Sequence, residues 1–507
     1  MPFTSPWPDV VVPNVTLGEL VLGEARGDAP ALVDALTGRA LSFAEVVRDV
    51  NRLAAGLHAW GLRKGEVVAL FLPNCPEYAV VFHAVARLGA INTTVNPAYT
   101  AEELAWQVAD AGARMVITTP ALAATAAAAG VEVVVVGEAD GLRSLAELLV
   151  DADPPEVGID PAVDVVALPY SSGTTGLPKG VMLTHRNLVA NLLQVQVAER
   201  DAPSPAFLAV LPFFHIYGMV VIMNLGLLRG TTIVTLPRFE LEPFLAAVQT
   251  WRVALLHVVP PVVLALAKHP VVDRYDLSSV RWLFSGAAPL GAEVTASVEA
   301  RLGCKVRQGY GMTEASPGTH FTPVGGERPG AVGPLLPSTR CRVVHPESGA
   351  DLGVGEAGEV WVQGPQVMKG YLNNPAATAA TVDAEGWLHT GDIGVVDADG
   401  WLTVVDRLKE LIKVKAYQVA PAELEALLLK HALVIDAAVV PFPDEEAGEV
   451  PKAFIVARPG LDPDELMAWV AGHVAHYKRI RRVELVEAIP KSASGKILRR
   501  VLVGRAG

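Results

Sequence analysis

The chain has 507 residues, 51% of them apolar, with 41 Lys and Arg against 54 Asp and Glu and a formal charge of −13. That length exceeds what one hydrophobic core organises, so at least two domains are expected, and the apolar share excludes a disordered chain. The acidic balance excludes a general pull on nucleic acid or anionic membrane, so an anionic ligand must meet local cations, as in stretch 478–505 with nine Lys and Arg against two Glu.

The opening MPFTSPWPDV lacks the basic and apolar runs of a signal peptide, and the final GRAG is no peroxisomal tripeptide. Valine-rich runs such as 133–136 are too short to cross a bilayer. Cys75, Cys304 and Cys341 are scattered and show no CxxC spacing, which argues against a disulfide framework or a zinc site. A reducing cytoplasm is the expected location.

Ser42 followed by Glu45 reads as a capping box that opens a helix through about Leu57. Residues 66–72, EVVALFL, read as a buried strand before a helix carrying Val80, Val81 and Val85. Thr100 with Glu103 is a second capping box, 115–118 another strand, and the alanine-rich 121–129 a surface helix. This rhythm predicts a mostly parallel sheet covered by helices. A strand at 163–168, a glycine-rich loop and a helix from about Arg186 continue it, with further strands at 207–212, 232–236, 254–259 and 280–285. Short alternating runs between 330 and 406 predict a small antiparallel β unit. After Asp406 the charged RLKELIKVK leads into a compact α+β segment. The expected class is α/β, with an N-terminal domain over 1–406 (subdomains about 1–160, 161–329 and 330–406) and a small α+β domain over 407–507.

The loop YSSGTTGLPKG at 170–180 carries the clearest chemistry. Its glycines permit tight backbone geometry, so successive N–H groups can wrap a phosphate. Ser171, Ser172, Thr174 and Thr175 add hydroxyls, and Lys179 adds charge. The spacing is not that of a Walker loop, and a solvated glycine-rich turn is the plain alternative. In QGYGMTE at 308–314, Tyr310 offers a face for a purine, Thr313 a hydroxyl for a phosphate and Glu314 a hard oxygen ligand for Mg2+. In WLHTGD at 387–392, Asp392 can accept from ribose hydroxyls, and Arg407 adds donors in a fixed fork. SASGK at 492–496 ends on Lys496. For QGYGMTE, WLHTGD and SASGK, each taken alone, an ordinary turn is the plain alternative.

Together they resemble the acyl-adenylate-forming superfamily of acyl-CoA synthetases, luciferases and peptide-synthetase adenylation domains. Within it the chain looks most similar to 4-coumarate and cinnamate:CoA ligases. The resemblance rests on LPYSSGTTGLPKGVMLTH at 168–185, LPFFHIYG at 211–218, QGYGMTEASP at 308–317, GWLHTGDIG at 386–394, VDRLKELIKVKAYQVAPAELEALL at 405–428 and AIPKSASGKILRR at 488–500. It implies an ATP-dependent ligase that forms an acyl-AMP and then an acyl-CoA, with Mg2+ and coenzyme A, and a C-terminal domain that turns about a hinge near Lys409.

By matched position, the resemblance implies a phosphate loop of Ser171, Ser172, Gly173, Thr174, Thr175 and Lys179. Ala287, Ala288, Gln308, Gly309 and Tyr310 surround the adenine, Thr313 meets the α-phosphate, and Glu314 holds Mg2+. Asp392 and Arg407 take the ribose. Lys496 meets the acyl carboxylate and the α-phosphate. Lys409, Lys413, Lys415 and Gln418 serve the turned state and the thioester step. His215 matches a pocket histidine that moves as CoA enters; a packed histidine beside Phe213 and Phe214 is the alternative. His215, Tyr217, Val221, Ala287, Gly309, Ser316, Pro317 and Gly318 are implied to line the acyl pocket, with Lys409 and Lys413 also at it. Arg238, Lys415 and Ala416 face CoA; Arg238 stands where Lys is common and Ala416 where Gly is usual. The apolar Val221 gives a para-hydroxyl no partner, so unsubstituted cinnamate is expected to serve at least as well as 4-coumarate. A medium-chain fatty acyl-CoA synthetase and a stand-alone enzyme that loads a carrier protein are the rival readings.

Overall fold

Side-chain caps start the main helices where the sequence places them. In the computed structural model, which describes residues 2–505 apart from 25, 172–177, 416, 445–446 and 493–494, Ser42 Oγ accepts from Glu45 N at 3.2 Å. The Glu45 carboxylate in turn accepts from Ser42 N at 2.8 Å. Two orphan N–H groups are thereby satisfied, and helix Phe43–Trp60 follows, burying Val46, Val50, Leu53 and Leu57. Thr100 with Glu103 opens Ala101–Ala111 in the same way, and Thr184 with Asn187 opens His185–Glu199.

Helix Phe43–Trp60 packs beside Pro76–Arg87, which lies against a nine-stranded sheet. Strand Val67–Leu70 is buried throughout, between parallel partners Ile91–Thr94 and Ala113–Thr118. A strand covered on both faces needs a continuous apolar run, which is what VVAL supplies. The alanine-rich stretch is not one helix. It breaks into Pro120–Leu122, Ala123–Ala126 and Ala127–Ala129, because it has helix propensity but no apolar stripe; Ala126 alone is buried.

The glycine-rich loop also departs from expectation. It does not join a strand directly to a helix. Strands Tyr170–Ser171 and Lys179–Thr184 pair antiparallel as the two arms of a hairpin, Ser171 opposite Lys179. Helix His185–Glu199 begins only after the second arm.

The sheets cross the limits read from the sequence at 160 and 329. The hairpin and Val165–Ala167 complete the nine-stranded sheet. Pro30–Asp34 and Ala40–Ser42 instead join Ala206–Ala209 and Thr232–Thr235. Leu255–Val258, Trp282–Ser285 and Lys305–Gly311 run parallel, and Gly318–Phe321 returns antiparallel. The antiparallel unit comprises Arg340–Val344, Ala357–Gln363, Leu388–Val396 and Leu402–Arg407, with the N-terminal Phe3–Thr4 on its edge.

That sheet ends at Arg407, and a separate five-stranded sheet begins at Ile412. The second sheet has its own core, including Ile412, Leu424, Leu428, Val439, Ile455 and Leu466. The result is a large N-terminal domain and a smaller C-terminal one. Asp406, near the end of the first domain, accepts from Ala422 N at 3.0 Å, at the start of helix Pro421–Leu428 in the second. Among the described residues no helix is long and apolar enough to cross a membrane, and the three cysteines are free.

Several buried histidines are held neutral. Burial pushes His83 and His185 down to about 4, and His257 and His320 down to about 3. The ordinary value is about 6.5, so below that pH the unfolded chain binds protons that the folded chain refuses. Stability from these groups is therefore complete above pH 6.5 and is lost as pH falls toward 4. Burial of Asp406, raised to about 6, acts in the opposite sense for one proton. Calorimetric unfolding at pH 5.5 in buffers of different ionisation enthalpy is expected to show net uptake of several protons; no uptake, or release, would contradict this assignment.

Candidate active site

Parallel strands leave their loops at their C-terminal ends, and in open α/β sheets ligands bind there. Beyond the ends of Trp282–Ser285 and Lys305–Gly311 lies a cleft. Tyr217, Val221, Phe284 and Phe321 form its apolar part, while His215, Thr313 and Lys496 bring polar groups to it. Glycines let two backbones approach closely. A Cβ on Gly309 would lie 2.6 Å from Phe284 Cζ, and one on Gly311 would lie 2.1 Å from Pro317 O. The chain folds back there, with Met312 N donating to Pro317 O at 3.0 Å.

The floor is held from behind. The Tyr217 hydroxyl donates to Phe284 O at 3.1 Å, and Val221 lies in the widened helix Gly218–Asn224. Arg307 and Glu199, both fully buried, pair at 3.1 Å, and the guanidinium also donates to Thr322 O and lies 5.4 Å from the Phe284 ring. His215 Nδ1 accepts from Tyr217 N at 3.3 Å. Burial, reinforced by Lys496, pushes His215 down to about 3, so its ring is neutral.

A charged cluster closes the other side. Strands Leu388–Val396 and Leu402–Arg407 set Asp392 opposite Arg407. Asp392 accepts from the Tyr310 hydroxyl at 2.6 Å and pairs with Arg407 Nε at 3.3 Å. Burial raises Asp392 even though Arg407 opposes it. For Arg407, burial works against the charge, but Asp392 and Glu410 outweigh it and the pKa is raised. Lys496 comes from the C-terminal domain into this field. Burial, then Arg407, lowers its pKa, while Asp392, Glu314 and Glu410 support its charge.

The loop that delivers Lys496 is closed on itself. Ser492 N donates to Lys496 O at 2.8 Å, and Lys496 N donates to Ser492 Oγ at 3.1 Å. Gly495, at φ +80°, fits against the N-terminal domain; a Cβ there would meet Pro261 Cδ and Val259 Cγ2 at 3.2 Å.

Glu314 is buried, and its Oε1 accepts from the Tyr371 hydroxyl at 2.9 Å. Among the described residues no group of three or more His, Cys, Asp or Glu could hold a metal. A single buried carboxylate does fit Mg2+, which takes its remaining ligands from water and substrate phosphates rather than from a protein cage.

The structure therefore brings His215, Tyr217, Val221, Ala287, Gly309, Tyr310, Thr313, Pro317, Gly318 and Lys496 to one cleft. Gln308 supports its edge by accepting from Leu290 N at 3.3 Å, and Ser316 is fully buried beside it. Ala287 and Ser316 hold φ of +71° and +68°, and Ala288 follows Ala287 in the same segment. Ser171 and Lys179 lie opposite each other on the hairpin. Ser172, Gly173, Thr174, Thr175 and Ala416 lie outside the described residues.

Lys409, Lys413, Lys415, Gln418 and Arg238 do not line the cleft. Lys413 and Gln418 face each other across an exposed hairpin of the C-terminal domain, so the expected place of Lys409 and Lys413 in the acyl wall is not met in this domain arrangement. Lys496 stands at the cleft instead. Arg238 is exposed and paired with Glu240. The positive φ near the CoA segment falls on Lys415, at +54°. Sequence reasoning missed Phe284, Phe321, Arg307 and Tyr371; none of them sits in a pattern with a local chemical meaning.

Known proteins share this architecture over nearly its whole length. Residues 22–372 match the AMP-binding enzyme family, and 423–496 match the AMP-binding enzyme C-terminal domain. The chain is 46% identical to 4-coumarate–CoA ligase 5 of Oryza sativa subsp. japonica, covering 99% of this chain and 96% of that protein. It is 44% identical to 4-coumarate–CoA ligase 2 of Petroselinum crispum, with the same coverage. Among solved structures, ATP-bound MatB of Rhodopseudomonas palustris superposes with a TM-score of 0.89 at 32% identity, covering 97% of this chain and 99% of that one. The anthranilate CoA ligase AuaEII with anthranoyl-AMP gives 0.90 at 25% identity, covering 98% of each chain. The chain belongs to the AMP-binding enzyme family.

Proposed function

We propose that this protein is an ATP-dependent acid:CoA ligase that forms an acyl-AMP and then an acyl-CoA from cinnamate-type acids. The observation that carries the reading is the entry of Lys496, from the C-terminal domain, into a cleft lined by Thr313 and His215, within the field of the Asp392–Arg407 pair. The 4-coumarate–CoA ligases at 44–46% identity support it.

In the first step the substrate carboxylate attacks the α-phosphorus of ATP and pyrophosphate leaves. Two anions must meet, so positioned positive charge supplies most of the catalysis. Lys496 sits where it reaches both, and the Thr313 hydroxyl donates to the α-phosphate. Tyr310 stacks on the adenine, bordered by Ala287, Ala288, Gln308 and Gly309. The Tyr310–Asp392 bond holds that ring and the ribose-binding carboxylate as one unit, and Arg407 fixes the carboxylate from the other side. Asp392 keeps lone pairs for the ribose hydroxyls. The hairpin, with Ser171 to Thr175 and Lys179, takes the β- and γ-phosphates. Glu314 would hold Mg2+, which neutralises triphosphate charge when bound.

In the second step the CoA thiol attacks the acyl carbonyl and AMP leaves. The C-terminal domain turns about Lys409, withdraws Lys496 and presents the hairpin bearing Lys413, Lys415, Ala416 and Gln418. The Asp406–Ala422 hydrogen bond spans that joint. His215, being neutral, can swing aside at low electrostatic cost. Arg238, exposed on the surface, meets the CoA phosphates. An enzyme drawing on ATP and CoA belongs in the cytoplasm.

The acyl pocket is apolar at Val221, Phe284 and Phe321, and the Tyr217 hydroxyl proton is committed to Phe284 O. A para-hydroxyl therefore gains little there. With matched cinnamate, 4-coumarate and octanoate, kcat/KM is expected to be at least as high for cinnamate as for 4-coumarate. A strong preference for octanoate would end the aryl reading in favour of a fatty acid. Pyrophosphate release without acyl-CoA product would favour carrier-protein loading.

Two substitutions separate the steps. Lys496→Ala is expected to abolish carboxylate-dependent pyrophosphate exchange, whereas Lys415→Ala leaves exchange and slows transfer to CoA; near-normal exchange in Lys496→Ala would refute the assignment. Gly309→Ala forces Phe284 to shift, at a cost of about 1–3 kcal/mol for overpacking. It should lower kcat/KM for cinnamate about tenfold or more.

A further inference from the structure

Tyr371 touches both charged side chains that the reading above assigns to the triphosphate. Its hydroxyl donates to Glu314 Oε1 at 2.9 Å, and its ring carries the Lys179 ammonium 4.3 Å from the centroid. The residue is only 5% exposed.

The backbone holds Tyr371 from both sides. Strand Gly370–Tyr371 pairs with the second arm of the hairpin, Tyr371 opposite Val181. Lys369 N donates to Met182 O at 3.0 Å and Leu372 N to Gly180 O at 2.8 Å. Tyr371 N donates to Thr378 Oγ1 at 2.9 Å. One residue before this stitching, Met368 N donates to Glu314 O at 2.8 Å. Segment 368–372 thus fastens the arm bearing Lys179 to the turn bearing Glu314, and Tyr371 is where their side chains meet.

We propose that Tyr371 is a positioning residue for nucleotide binding: its hydroxyl sets the Glu314 carboxylate for the divalent cation while its ring face sets the Lys179 ammonium for the phosphates. A donor to one carboxylate oxygen fixes the plane of the group and leaves the other oxygen aimed at the cation. Such outer partners of a ligand are worth about 10–100-fold in metal affinity. A cation over an aromatic face is held without losing its hydrogen-bond donors, so Lys179 keeps its N–H groups for phosphate oxygens. The inference rests on the assignment of Glu314 and Lys179 to the triphosphate.

The test is calorimetric titration of the full chain with ATP, with and without Mg2+. Tyr371→Phe keeps the ring and removes the hydroxyl; its circular dichroism and melting curve report folding. The expected result is that the gain in ATP affinity on adding Mg2+ shrinks about tenfold in Tyr371→Phe, while ATP binding without Mg2+ is unchanged. In a Glu314→Gln background, Tyr371→Phe should add nothing, because both act through one carboxylate. Tyr371→Leu should also weaken ATP binding without Mg2+, through Lys179. A wild-type Mg2+ gain in Tyr371→Phe, or full additivity with Glu314→Gln, would overturn the proposal. If the unaltered protein bound no ATP, the assignment of the site itself would fall, a result distinguishable from either of these.

Discussion

One placement organises the cleft: a lysine ammonium carried by the smaller domain into a pocket built by the larger. Burial works against the charge of Lys496, and Arg407 adds to the penalty; Asp392, Glu314 and Glu410 offset it. An isolated buried ammonium would be expensive, so the acidic groups around it are a condition for its being there charged. Those groups come from separate parts of the chain: Asp392 from the antiparallel sheet, Glu314 from the turn after Lys305–Gly311, and Glu410 from the junction between domains. Glu410 is itself tied to Arg499, which also binds Glu425. The C-terminal domain thus braces the junction from its own side.

The second constraint is close packing of backbone around the cleft. Gly309 and Gly311 leave no room for a Cβ because Phe284 and the Pro317 carbonyl already fill it. Behind them, the fully buried Arg307–Glu199 pair fixes Phe284, and removing one partner would leave the other charge buried and uncompensated. Under the proposed function, substrate preference would rest chiefly on Tyr217, Val221 and Phe284, which line this wall.

Much of this was legible in the sequence because it is written in local pattern. Ser42 with Glu45 and Thr100 with Glu103 cap helices as read. QGYGMTE and WLHTGD put Tyr310 and Asp392 within hydrogen-bonding distance of each other, and SASGK brings Lys496 to the cleft that Tyr310 lines. What escaped was long-range. Tyr371 reaches Glu314 through pairing with a strand nearly two hundred residues away, and MKGYLNN carries no chemical signal of its own. Arg307 meets Glu199, at the end of a helix more than a hundred residues earlier, and no local pattern marks that pairing. The hairpin arm Lys179–Thr184 was hidden because the glycine-rich loop beside it drew the whole segment into a loop-to-helix reading. The alanine tract misled in the other direction: propensity without a packing stripe gave three short turns.

The most direct test of the account is a single turnover without CoA. Enzyme in excess over radiolabelled cinnamate, mixed with Mg2+ and ATP and quenched in acid, should accumulate cinnamoyl-AMP with one pyrophosphate released per acid consumed. Adding CoA should then convert that adenylate to cinnamoyl-CoA and AMP. Formation of ADP and an acyl phosphate, or of no adenylate while acyl-CoA still appears, would contradict it.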